Sequence, residues 1–203
     1  MSDGRNVCVF CGANTGDDPV FATVAAELGR ALAEQGHGLV YGGGRVGLMG
    51  IVADAALAAG GRVHGYIPQA LVDREVGHRG LTEMVVTDSM HTRKQAMSDR
   101  ADGFVALPGG YGTLDEVIEI LTWNQIGIIA KPVAFLDVPV ATLGGSGYFE
   151  SLFRFFDDAA AAGLIMPAHR TMAQRATTVA EAIRIATGPA PASPSKWTDP
   201  SVR

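Results

Sequence analysis

Strand-like and helix-like segments alternate along nearly the whole chain, and no other feature narrows the fold as much. Residues 6–11 read as a first strand, 19–35 as a helix with Pro19 in its first turn and Gly36 just past its end, and Gly38–Tyr41 as a second strand. An alanine-rich helix ending near Ala59-Gly60-Gly61, a strand over 62–67 and a charged connection over 68–80 follow. A strand over 81–87, a helix over Met90–Arg100, a strand at Gly103-Phe104-Val105-Ala106 and a helix through Trp123 lead on to a strand over 132–136. The helix over 149–162 is amphipathic, with Leu152, Phe155, Phe156 and Ala159 expected on one buried face. A short edge strand over 172–175 and a helix over 178–187 complete the pattern. It predicts an α/β fold, a mostly parallel sheet with helices on both faces and right-handed crossovers. The 203 residues suit a single domain over 1–187, and 188–203, with four prolines and few apolar residues, reads as a disordered tail.

One junction in that pattern stands apart. Between the strand at residues 103–106 and the helix through Trp123 lies Leu107-Pro108-Gly109-Gly110-Tyr111-Gly112-Thr113-Leu114-Asp115-Glu116. Three glycines let the backbone turn sharply and leave no Cβ between its amides and a ligand, while the start of a helix favours an anion. Thr113 and Glu116 also have the T-x-x-E spacing of a capping box, which explains those two residues but not the surplus of glycines. Open α/β sheets bind ligands where strands end and helices begin, so a phosphate site is expected here.

A second glycine run competes with it. Gly42, Gly44 and Gly47 match G-x-G-x-x-G between a strand and a helix, yet the strand about 20 residues on ends as Val63-His64-Gly65-Tyr66-Ile67, without the acidic residue that would hold a dinucleotide ribose. The run is therefore read as a tight turn lining a mononucleotide pocket, and NAD or NADP is not expected.

Several function classes fall away on composition. A net charge of −5 argues against a nucleic-acid surface. No apolar run approaches the roughly 18 residues that span a bilayer, and Met1-Ser2-Asp3-Gly4-Arg5 enters a strand without a secretory signal, so the expected compartment is the cytoplasm. Cys8 and Cys11 form a C-x-x-C inside a strand, where they face opposite sides; they read as packing residues. The five histidines show no metal-ligand spacing, and neither metal nor cofactor is expected.

Residues 108–116 resemble the PGGxGTxxE motif of the LOG family, the cytokinin riboside 5′-monophosphate phosphoribohydrolases, and Met90-His91-Thr92-Arg93-Lys94 is similar to that family's MHxRK. Residues 7–12 and 41–50 agree in order and spacing, so the likeness runs from about Val7 to about Gly163; Ala13-Asn14 and Arg45 depart from serines common in the family. The resemblance implies a Rossmann-like fold, a homodimer, and a hydrolase that splits the N-glycosidic bond of adenosine 5′-monophosphates, N6-substituted or not, into free base (cytokinin or adenine) and ribose 5-phosphate. It marks Arg93 and Glu116 as catalytic, and Glu75, Arg93, Lys94, Gly110, Tyr111, Gly112, Thr113, Leu114, Asp115, Glu116 and Thr122 as substrate contacts. The chemistry agrees: a carboxylate at Glu116 stabilises oxocarbenium charge and orients water, and Arg93, always protonated, holds the carboxylate, ribose or phosphate.

Two other classes compete with a nucleotide hydrolase. A pyridoxal-phosphate lysine decarboxylase requires a Schiff-base lysine, and Lys94, Lys131 and Lys196 are the three lysines available. A non-catalytic nucleotide or cofactor carrier requires no carboxylate beside a ribose. The region with Leu121, Trp123, Ile126, Ile128 and Ile129 is more apolar than one sheet face requires and is the expected dimer surface.

Overall fold

A computed structural model describes residues 4–72 and 77–192. Seven parallel strands form one sheet in the order β4-β3-β2-β1-β5-β6-β7: β1 (Asn6–Phe10), β2 (Gly38–Tyr41), β3 (Val63–Pro68), β4 (Glu83–Thr87), β5 (Gly103–Ala106), β6 (Val133–Leu136) and β7 (Ala173–Ala176). The central strands are buried on both faces, as parallel strands covered by helices must be. β1 sits between β2 and β5, so the strand order reverses there and a crevice opens at the carboxyl ends of β1 and β5. The hydrogen bond from Gly12 N to Pro108 O, 3.1 Å, joins the two segments where they leave the sheet.

Helices cover both faces: α1 (Pro19–Glu34), α2 (Gly47–Ala58), α3 (Gln69–Val72), α4 (Met90–Arg100), α5 (Tyr111–Gln125), α6 (Glu150–Ala161), α7 (Pro167–Arg170) and α8 (Val179–Ala186). Local chemistry sets their ends. Asp18 caps α1 by accepting the Val20 amide at 3.0 Å, Pro19 opens the helix, and Gly36 leaves it at φ +77°. Ser89 and Thr92 close a reciprocal capping box on α4. One core cluster packs α1, α2 and α8 against the sheet, and a second packs α4, α5 and α6 on the other face. Cys8 and Cys11 fall in different clusters, both as free, buried thiols whose pKa values burial pushes up.

The alternation expected from the sequence is present, with several local differences, the short α7 among them. The connection over 68–80 contains the short α3, and a 3-10 turn, Ala141–Leu143, follows β6. On α6 the buried face carries Phe153, Phe156 and Ala159, whereas Phe155 is 62% exposed. Phe149 packs from just before that helix, and Phe135 meets Phe149, Phe153 and Phe156 edge-on, which selects Phe153 over Phe155 for the core. Of the apolar run after the central motif, Leu121, Trp123 and Ile129 pack half-buried against their own core, and Ile128 stays 61% exposed. Most of the expected tail, 193–203, lies outside the described residues, and 188–192 carry no regular structure. Among the described residues no helix is long and apolar enough to cross a membrane.

Candidate active site

The β5–α5 junction builds the site. Buried β5 delivers Leu107 and Pro108 to Gly109 and Gly110, and Gly110 becomes the N-cap of α5 with no side chain capping it. A Cβ at Gly109 would collide with Thr113 Oγ1 and the Gly12 amide, so that glycine is required by packing. Gly110 and Gly112 differ. A Cβ at either would meet nothing within 4 Å, and neither adopts a positive φ. Their glycines keep clear the space in front of the first amides of α5, which have no partners inside the helix. Thr113 is buried in that first turn, and its hydroxyl has no hydrogen-bond partner. The T-x-x-E capping box is not formed, because α5 starts before Thr113 and Glu116 turns to another partner.

That partner is Arg93 of α4. Its Nη1 donates to Glu116 Oε1 at 2.7 Å and its Nε donates to the Tyr66 carbonyl of β3 at 2.9 Å. Both side chains are largely buried, 8% and 11% exposed. Room for the guanidinium depends on Gly42, where a Cβ would run into Arg93 Nη2. Burial pushes the Glu116 carboxyl above its ordinary pKa, and the Arg93 charge and hydrogen bond pull the other way. The next residue, Lys94, points about 100° away around the helix and binds Asp115 Oδ2 and Glu119 Oε2, each at 3.1 Å. Burial opposes the Lys94 ammonium, but these carboxylates outweigh it and raise its pKa. Arg93 and Lys94 thus bind α5 at two neighbouring points.

Around the pair lies a cleft of about 560 Å³. The α5 turn, Arg93, Asp115 and Glu116 give it charge, and Phe21, Leu48, Met49, Leu71, Met90 and Tyr148 give it apolar walls. The second glycine run shapes the wall at α2. Gly43 and Gly47 adopt φ of +72° and +59°, and Gly47 packs against the Ala13 backbone, which seats Leu48 and Met49 on the cleft. Among the described residues no group of three or more His, Cys, Asp or Glu is arranged to hold a metal.

Most residues expected at the site meet here: Arg93, Gly110, Tyr111, Gly112, Thr113, Asp115 and Glu116 line the cleft. Leu114 packs into the core, and Lys94 is taken up by its two carboxylates. Thr122, nearly two turns along α5 from Glu116, bonds the Ile118 carbonyl and lines a separate groove of about 150 Å³ with Gln125, Ile165 and His169. Glu75 lies outside the described residues. Sequence reasoning missed Phe21, Tyr148 and the Tyr66 carbonyl. No periodicity or spacing marks them, since an aromatic at the start of a helix, another in a loop and a main-chain oxygen are brought to the cleft by tertiary structure alone.

A family profile described as "Possible lysine decarboxylase" matches residues 49–186. A protein of Oryza sativa subsp. japonica, "Probable cytokinin riboside 5'-monophosphate phosphoribohydrolase LOGL9", is 48% identical over 166 residues, 82% of this chain and 70% of its own. The Arabidopsis thaliana "Cytokinin riboside 5'-monophosphate phosphoribohydrolase LOG7" is 43% identical over 180 residues, 89% of this chain and 80% of its own. Among solved structures, the Moco carrier protein from Chlamydomonas reinhardtii aligns over 89% of this chain and 93% of its own, with a TM-score of 0.65 and 23% identity, a likeness of fold alone. By these matches, and by the glycine motif joined in space to Arg93, the chain belongs to the LOG family of cytokinin riboside 5′-monophosphate phosphoribohydrolases.

Proposed function

We propose that the cleft hydrolyses the N-glycosidic bond of adenosine 5′-monophosphates, N6-substituted ones included, releasing the free base and ribose 5-phosphate. The observation that carries this reading is the buried Arg93–Glu116 pair beside the open N-terminus of α5. The amides at the start of α5 and the positive end of its dipole suit a 5′-phosphate, and the Thr113 hydroxyl offers a further donor. Glu116 follows Tyr111 by five residues, about 7.5 Å along the axis, which leaves room for a sugar between phosphate and carboxylate. Bond cleavage builds positive charge on the ribose, and ionised Glu116 stabilises it and orients the attacking water. An arginine guanidinium supplies no proton, so Arg93 acts by charge and hydrogen bond: it favours the ionised carboxylate against burial and aims it. Contacts to substrate are assigned to Gly110, Tyr111, Gly112, Thr113 and Asp115, with Lys94 bracing α5.

Pure protein incubated with AMP and with N6-isopentenyl-AMP, followed by chromatography, tests the reading. Equimolar free base and ribose 5-phosphate are expected; tight binding with the nucleotide left intact would make the protein a carrier. Decarboxylase chemistry lacks a lysine to act through among the described residues. Among the described residues no lysine lines the cleft, Lys94 is ion-paired, and Lys131 Nζ donates to the Ser98 carbonyl at 2.6 Å; Lys196 lies outside them.

The homodimer belongs to the same proposal. Ile118, Phe155 and Leu164 are 37%, 62% and 81% exposed, on elements that flank or border the Thr122 groove, and large exposed apolar side chains favour an interface. Trp123 packs against its own core, so Phe155→Glu is the better disrupting change. Light scattering should give twice the 21.2 kDa of the chain, falling to the monomer mass in that variant. A reducing, cytoplasmic setting suits the two free thiols, and cell fractionation checks it.

A further inference from the structure

The glycine turn is gripped from outside by a segment that carries none of the sequence motifs. After β6 the chain folds back through the 3-10 turn Ala141–Leu143 and a bridge between Pro139 and Gly147, and it brings Tyr148 to the cleft. The base of this segment is fixed. Asp137, fully buried, accepts the Phe149 amide through Oδ1 at 2.7 Å, and Arg175 Nε lies 2.5 Å from Oδ2. Asp18, the α1 cap, uses its second oxygen to accept the Ala141 amide at 2.8 Å. From this support the Tyr148 hydroxyl donates to the Gly109 carbonyl at 2.7 Å, and the Tyr148 ring meets Phe21 edge-on at 5.4 Å.

The bond falls on an informative atom. In a trans peptide the carbonyl of one residue and the amide of the next point in opposite directions within one plane, and no peptide here is cis. Fixing the Gly109 carbonyl therefore fixes the Gly110 amide, which belongs to the uncapped N-terminus of α5. Glycine on both sides of that peptide gives it the least intrinsic restraint of any pair. We propose that Tyr148 is a positioning residue for anion recognition: its hydroxyl aligns the Gly109–Gly110 peptide so that the Gly110 amide meets a phosphate oxygen, and buried Asp137 holds the tyrosine in place. The inference rests on reading the cleft as a nucleotide site.

Calorimetric titration of ribose 5-phosphate into wild type and Tyr148→Phe separates the two claims, because it needs no turnover. The ring and its Phe21 contact remain in the variant, and affinity is expected to fall about five- to tenfold, the effect of one lost hydrogen bond. With AMP as substrate the same factor should appear in KM, with a smaller change in kcat, and the preference for AMP over adenosine should shrink by that factor. A purely structural tyrosine would lower the melting temperature and leave the ribose 5-phosphate affinity and the AMP preference where they were, which overturns the proposal. Asp137→Asn, which keeps the hydroxyl but loosens its support, should fall between wild type and Tyr148→Phe; wild-type affinity there removes Asp137 from the device. Failure of wild type itself to bind ribose 5-phosphate overturns the nucleotide reading and the positioning claim with it, whereas equal binding by wild type and Tyr148→Phe overturns the positioning claim alone.

Discussion

The two glycine turns look alike in sequence and differ in what fills the space their missing side chains leave. In the β2–α2 turn and the first turn of α2 the protein fills it: Gly42 makes way for the Arg93 guanidinium, Gly47 for the Ala13 backbone and Gly50 for the Arg45 backbone. In the β5–α5 turn Gly109 is filled by Thr113, but Gly110 and Gly112 face open space. Glycines of the first kind serve packing, and those of the second kind leave room that, on the proposed reading, a phosphate fills. The better-known pattern, G-x-G-x-x-G, is thus the scaffold here, and it acts on the site by making room for Arg93.

The largest expected effect keeps both turns and removes only the charge they converge on. Glu116→Gln should lower kcat by about 10²-fold or more while nucleotide affinity, read by calorimetry, stays near wild type. Near-normal turnover would reduce the pair to a helix clamp. Next comes the filled turn. Gly42→Ala should destabilise the fold by about 1–3 kcal/mol through overpacking and cut kcat about tenfold or more as Arg93 is displaced from Glu116, checked by thermal melts and steady-state rates. In the open turn the balance reverses: Gly110→Ala should change stability by about 0.5 kcal/mol or less and raise KM for AMP about fivefold, because the methyl competes with the phosphate and not with protein. A melting shift as large as that of Gly42→Ala would erase the distinction between the turns.

The smallest effect is on pH. Because the folded pKa of Glu116 is raised, the folded state holds that proton more tightly than the unfolded chain does. Its stabilising contribution is fully present below the ordinary carboxylate pKa and is lost as pH rises through the raised value. Wild type should therefore gain stability relative to Glu116→Gln as pH falls through that window, followed by melting temperatures at a series of pH values. On the proposed mechanism catalysis needs the ionised form, so kcat/KM should decline on the acid side across the same window.

Much of this was legible before any coordinates. Strong apolar runs and glycine punctuation located the seven strands to within about two residues; the central ones, buried on both faces, have little freedom to be anything else, and the edge strands β4 and β7 followed from the alternation. The motif residues were legible because a helix start carries its ligand groups in consecutive positions. What escaped depends on contacts distant in sequence. Tyr148 reaches Gly109 across 39 residues, and nothing in Gly147-Tyr148-Phe149 says which way the loop folds. Phe153 and Phe155 compete for the core within one helix, and the aromatic cluster around Phe135 decides between them. Thr122 shares a helix with Glu116 but faces a different groove, a separation that motif matching along the chain does not resolve.

The double tie between α4 and α5 has a consequence for ionic strength. Mobile ions screen exposed charges readily and buried ones poorly. Of the two ties, Lys94 to Asp115 reaches a carboxylate that is 60% exposed, whereas Arg93 to Glu116 is shielded on both sides. Added salt therefore weakens the outer tie to Asp115 first and leaves the buried Arg93–Glu116 tie standing, so that α5 is held at high ionic strength by its inner tie and its core packing.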